Sequence, residues 1–207
     1  MIQSARLGPD HPETLSTQTR LASAHRDAGR YDLALPILEK AVPTMEAKLG
    51  PTNIRSLLAK SILADIYRCS GQWDRSIALL EGNLTDLSDK LGPDHAETLL
   101  AQDCLARAYY DAHRVEPAIR LWERNLERRT AKFGADHPGT LATRVDLAEA
   151  LQMRGDVPGI EWTLRDLLAA LRGKPEPHQP DVARTLTALA RALMGSRHWP
   201  EAERLLV

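Results

Sequence analysis

The residues best suited to chemistry in this sequence come in pairs: Asp10-His11, Asp94-His95 and Asp136-His137. A carboxylate beside an imidazole is a common donor set for zinc and a common partnership in acid–base catalysis. Their register argues against both uses. The pairs fall on one 42-residue step, Asp10-His11 standing two steps before Asp94-His95. Stacked helical units stand about 10 Å apart, whereas a shared ion holds its ligands at about 2 Å. The pairs are better suited to ending a helix than to holding an ion, with Asp10, Asp94 and Asp136 accepting hydrogen bonds from the first free N–H groups. His25, His113, His178 and His198 share no His-x-x-x-His spacing, and Cys69 and Cys104 are the only cysteines. Both thiols read as small, half-buried apolar groups. With no Gly-rich phosphate loop, no Gly-x-Ser-x-Gly elbow and no Cys–His pairing, no catalytic residue, cofactor or metal is expected.

Composition narrows the function classes further. Hydrophobic residues make up 43% of the 207 and charged residues 27%, a balance that folds. The 27 Lys plus Arg against 28 Asp plus Glu leave a formal charge of -1, without the basic excess that nucleic acid demands. Charge runs such as Glu123 to Arg129 interleave both signs and read as a solvated helix face. The apolar runs are too short for a membrane span, and the N-terminus lacks a signal-peptide core. Two cysteines cannot form a disulfide framework, so a reducing, cytoplasmic setting is expected.

The elements that position these residues repeat. Leu-Ala recurs at Leu21, Leu63, Leu105, Leu147 and Leu189, every step being 42 residues. A second marker keeps the same step: Leu7-Gly8-Pro9, Leu49-Gly50-Pro51, Leu91-Gly92-Pro93 and Phe133-Gly134-Ala135. Each unit reads as two helices. Helix A opens near Pro12, suited to a first turn, with Glu13 completing an Asp-x-x-Glu capping box. It stops at Gly29, and Gly71 and Gly155 fill the same slot, while His113 and Arg197 replace it. Helix B carries Ala34, Ile37, Leu38 and Ala41 at helical spacing and ends at Gly50-Pro51. Pro43 lies well inside it, so a bend or break is expected there. Small residues at Ala22 and Ala34, Ala64 and Ser76, and Ala106 and Ala118 suit close helix crossings, with Tyr67, Trp73, Tyr109, Trp122 and Trp199 filling the space beside them. Short connections make the helices antiparallel neighbours, and neither can bury its apolar stripe unless successive pairs stack.

Leu21-Ala22, His25, Gly29, Tyr31, Ala34, Leu38 and Ala41, repeated as Leu63-Ala64, Tyr67, Gly71, Trp73, Ser76, Leu80 and Asn83, resemble the tetratricopeptide pattern. The 42-residue unit with Gly-Pro-Asp-His-Pro ahead of Thr-Leu is similar to the kinesin-light-chain type of repeat, found also in bacterial signalling proteins. The resemblance implies an all-α, right-handed superhelical solenoid of antiparallel helix pairs. One array over residues 1–207 is expected, with units near 8–49, 50–91, 92–133, 134–175 and 176–207, the last truncated, and a Pro-rich joint at 173–180. The family's paired Asn before Leu-Ala is replaced by Thr19-Arg20, Ser61-Ile62, Asp103-Cys104, Val145-Asp146 and Thr187-Ala188. Met1 to Leu7 align with the tail of a helix B, and Val207 aligns with Arg165 midway through one, so the chain is expected to be a segment of a longer array, a short reading frame or a fragment of a multidomain protein.

The expected function is protein–protein interaction, as a scaffold or module within a larger signalling or regulatory protein. A structural element that self-associates end to end is the alternative. Projecting helix A with Ala22 toward helix B places Thr19, Ser23, Arg26, Asp65, Arg68, Asp103, Arg107, Tyr110, Glu149, Gln152 and Arg191 on the inner concave face. Arg26, Arg68 and Arg107 are expected to one side of an acidic middle made by Asp103, Asp146 and Glu149. That pattern suits a mixed-charge peptide or a helix. A groove without Lys or Asn implies no carboxylate clamp.

Overall fold

In the computed structural model the described residues are 8–165, apart from 157, 161 and 164. They form seven complete helices and part of another, and no strand occurs among them. The helices are α1 (Pro12–Asp27), α2 (Tyr31–Leu49), α3 (Ile54–Cys69), α4 (Trp73–Leu91), α5 (Ala96–Asp111), α6 (Val115–Phe133) and α7 (Pro138–Arg154). A further helical segment includes residues 158–160. The fifth repeat, the joint at 173–180, Arg191, Arg197 and Trp199 lie outside the described residues. The chain divides into two compact units, Met1–Ala112 and His113–Val207.

The A helices α1, α3 and α5 have 16 residues each and the B helices α2, α4 and α6 have 19, so the sequence period is carried into structure without slippage. In the first unit Ala22, Ala34, Ala64 and Ala106 are wholly buried, and the Ser76 hydroxyl donates to the Ala64 carbonyl at 2.7 Å. A side chain longer than a hydroxyl there would push α3 and α4 apart. One core joins Leu15 and Ala22 of α1, Leu38 and Met45 of α2, and Ala59, Leu63, Ile66 and Tyr67 of α3. Each A helix after the first therefore buries a leading face on the preceding B helix. An outer seam repeats the arrangement: Tyr67 donates to Glu39 at 2.8 Å, with Arg75 stacked on its ring at 4.2 Å, and Tyr109 donates to Glu81. In the second unit Trp122 is wholly buried and Ile160 is buried at the small-residue position.

Turn chemistry follows the glycines. Gly29 sits at φ 70°, with its N–H on the Arg26 carbonyl and the Arg30 N–H on the His25 carbonyl, the paired bonds of a Schellman cap. Gly71 and Gly155 repeat it, but His113 adopts φ 59° without glycine's freedom. His113→Gly should therefore stabilise the protein by about 0.5–1 kcal/mol in urea denaturation. A loss of stability would show that the imidazole's contacts outweigh its backbone strain. Gly50, Gly92 and Gly134 end the B helices at φ 90–100° and ψ 150–161°, an extended positive-φ region essentially reserved for glycine rather than the left-handed one.

Three expectations need correction. Pro43 does not break α2, which runs from Tyr31 to Leu49 with both Pro36 and Pro43 inside it. Both prolines are exposed, so the carbonyls that lose intrahelical partners can turn to water. Trp73 is not packed away but 38% exposed at the first position of α4. The helix caps are not the aspartates. His11, His95 and His137 are the N-cap residues, their Nδ1 atoms accepting from the N–H groups of Glu13, Glu97 and Gly139 at 3.2, 3.2 and 3.1 Å. In α3 the Asn53 side chain does the same for Arg55 at 3.0 Å. Pro12 and Pro138 take the helical position that follows, fixing the histidine as the last non-helical residue.

Candidate partner-binding surface on the A helices

The expected groove residues of the first unit lie on α1, α3 and α5, and several are already committed to one another. The Arg26 guanidinium donates to Asp65 of the next A helix at 3.2 Å, to Asp27 at 2.9 Å and to the Ser23 hydroxyl at 3.2 Å. Arg68 donates to Asp65 within its own helix at 2.8 Å and to Asp111 on α5 at 2.7 Å. The result is a ladder, Arg26–Asp65–Arg68–Asp111, crossing three successive A helices with side chains 20–26% exposed. Burial opposes the Arg68 charge, but the bonds to Asp111 and Asp65 outweigh it and raise its pKa above the arginine norm. Arg26 follows the same balance, with Asp27 and Asp65 opposing its burial. Partly exposed pairs of this kind contribute little stability, roughly 0–1 kcal/mol each. Their larger effect is to fix two long side chains and cancel their charge.

Cys104 lies beside this ladder. Burial foremost, with Asp65 and Asp103 adding, pushes its thiol up to about 12, so it stays protonated and a poor nucleophile at neutral pH. Arg107 stands over the Tyr110 ring at 5.7 Å. Thr19 turns toward helix B rather than the open face: its hydroxyl donates to the Leu15 carbonyl at 3.0 Å and lies 3.8 Å from the Met45 sulfur. In the second unit Glu149 and Gln152 are both exposed on α7. Arg191 lies outside the described residues.

In the first unit the arginines of the surface are interleaved with carboxylates. Arg26 and Arg68 alternate with Asp65 and Asp111. Sequence reasoning missed the apolar members of the surface. Leu58 and Ile62 precede Asp65 on one stripe of α3, and Leu100 and Cys104 precede Arg107 on the matching stripe of α5, at steps of three and four residues. Leu100 is 52% exposed and Leu58 half-buried. The same projection carried two turns from Asp65 and Arg107 toward the helix N-termini finds them. Among the described residues no group of three or more His, Cys, Asp and Glu is placed to hold a metal, and no helix is long and apolar enough to cross a membrane.

Family models described as tetratricopeptide repeat match residues 2–47 and 97–158, and a second such model matches 61–93. The chain belongs to the tetratricopeptide repeat family. Its structure is similar to that of nearly identical TPR-like repeats from a Podosopora anserina protein described as a kinesin light chain, at 28% identity and a TM-score of 0.86, covering 95% of this chain and 93% of that one. It shares the fold of BtubC (BKLC) from P. vanneervenii, at 16% identity and a TM-score of 0.83, covering 99% and 83%. MamA AMB-1 is more distant, at 20% identity, a TM-score of 0.62 and coverage of 91% and 92%. Comparison with curated proteins finds no match. Tetratricopeptide repeats are generally non-enzymatic and mediate protein–protein binding, and this chain's repeats conform to the longer kinesin-light-chain type.

Proposed function

We propose that this chain is a cytoplasmic protein-interaction module, part of one continuous array, whose recognition surface in the first unit is the open face of α1, α3 and α5. The observation that carries this reading is the Arg26–Asp65–Arg68–Asp111 ladder, together with Leu100 exposed on the stripe of α5 that leads to Asp111. Charged side chains are held in fixed positions across three helices at a place where the core does not need them. Because the ladder is internally neutralised, the face favours a partner with apolar anchors for Leu58 and Leu100 and polar groups of both signs near Ser23, Asp103, Arg107 and Tyr110. Glu149 and Gln152 present polar groups on the equivalent helix of the second unit. A uniformly acidic tail would have to displace Asp65 and Asp111 from their arginines.

The test is a partner recovered with the protein from its native cell and identified by mass spectrometry. Replacing Arg26, Arg68, Arg107 and Tyr110 with Ala should weaken its binding at least tenfold, about 1.4 kcal/mol, with the helical signal unchanged. Leu100→Asp should weaken it comparably. Unchanged affinity in both, together with loss on substituting exposed positions of the B helices such as Glu81 and Arg124, would assign binding to the opposite face.

A further inference from the structure

The 42-residue step lets the ladder be compared rung by rung. Arg26 of α1 and Arg68 of α3 occupy one repeat position, and each guanidinium reaches a carboxylate on the following A helix, Asp65 and Asp111, at 3.2 and 2.7 Å. On α5 the same position is Tyr110. The adjacent pair Arg26 and Asp27 bonds directly at 2.9 and 3.0 Å, whereas its equivalent on α5 is Tyr110 and Asp111. Asp65 accepts from Arg26 at one oxygen and twice from Arg68 at the other. Among the described residues Asp111 accepts from Arg68 alone, through Oδ2. Asp27, Asp65 and Asp111 therefore face only two guanidiniums along the ladder. The helix ends give an independent indication. A last turn carries partial negative charge that a basic side chain offsets. α1, α3 and α7 place Arg26, Arg68 and Arg154 there, but α5 has no basic residue in its last turn and ends on Asp111.

Taking the A-helix surface as the binding site proposed above, we infer that its partner seats a basic side chain, arginine or lysine, on Asp111 and an apolar side chain on Leu100, both from one extended segment. The incoming cation bonds Asp111 as Arg26 bonds Asp27, continuing the alternation of charge and offsetting the negative end of α5. Arg107, one turn earlier, stands over the Tyr110 ring at 5.7 Å and leaves Asp111 to Arg68. An acidic side chain brought to the same place would meet a carboxylate already short of partners. Leu100, 52% exposed, precedes Asp111 on one stripe of α5 at steps of four, three and four. At the helical rise the two lie about 16 Å apart along the axis. A chain rising about 3.3 Å per residue covers that distance in about five residues, which sets the spacing between the partner's apolar and basic side chains.

Selection of a phage-displayed library of random dodecapeptides on the full chain, followed by fluorescence polarisation with the most enriched synthetic peptide, tests the inference. The expected sequences carry Arg or Lys about five residues from a large apolar residue. Asp111→Asn keeps an acceptor for Arg68 but removes the charge, and should raise the dissociation constant at least about fivefold, with the helical signal unchanged. Replacing the peptide's basic residue with Gln should do the same. Combining the two changes should cost little more than either alone, as for groups in direct contact. Leu100→Asp should weaken every selected peptide. Enriched peptides without a basic residue, or basic peptides that bind the Asp111→Asn protein as tightly as the parent, would overturn the inference; if Leu100→Asp still weakens them, the proposed surface stands. Peptides indifferent to both variants, or no enrichment at all, would overturn the inference and the proposed surface together.

Discussion

Trp122→Ala is expected to be the most damaging single substitution among those considered, at about 3–5 kcal/mol in urea denaturation. The indole is wholly buried in α6, at the position where α2 and α4 carry the wholly buried Leu38 and Leu80. Removing it costs both the transfer free energy of a large aromatic group and the cavity that rigid helical neighbours cannot collapse. The repeat supplies its own control, because Trp122→Leu installs the residue that the other units use and should cost less than half as much. A loss below about 1 kcal/mol for Trp122→Ala would mean that this part of the core repacks freely.

Changing His11, His95 and His137 together to Ala should cost about 3 kcal/mol, roughly 1 for each lost cap if the well-separated sites add. The same substitution at Asp10, Asp94 and Asp136 should cost much less, since these exposed carboxylates are not the groups that accept from Glu13, Glu97 and Gly139. His→Asn at the three positions should preserve most of the stability, because Asn53 already makes the equivalent bond at the start of α3. Chemical denaturation of the three triple variants decides the matter. Equal losses for the Asp and His sets would return the caps to the aspartates.

The caps show where sequence legibility ends. Asp-His-Pro announces a helix start, and α1 does begin at Pro12. Which of two adjacent polar side chains accepts the bond depends on a backbone offset of one residue, and both Asp and His can accept. Pro43 marks a similar boundary. Its cost to a helix is general, but whether the chain bends, breaks or continues depends on the packing of the flanking Ala41, Val42 and Met45, all buried in the first core. The expected groove residues were found by register, yet register could not tell that Arg26 would reach Asp65 39 residues away or that Arg68 would reach Asp111.

The sequence by itself determined the 42-residue period, the two-helix unit, the small residues at the crossings and the glycines at the turns, because these depend on backbone geometry and on side chains a few residues apart. Family membership was legible for the same reason: a pattern repeated several times averages out local ambiguity. The tertiary structure alone decided which arginines are neutralised and which apolar residues of the A helices stay uncovered. Those properties come from neighbours a whole repeat away. Leu63 of the second Leu-Ala pair, for instance, is buried because α2 packs against α3.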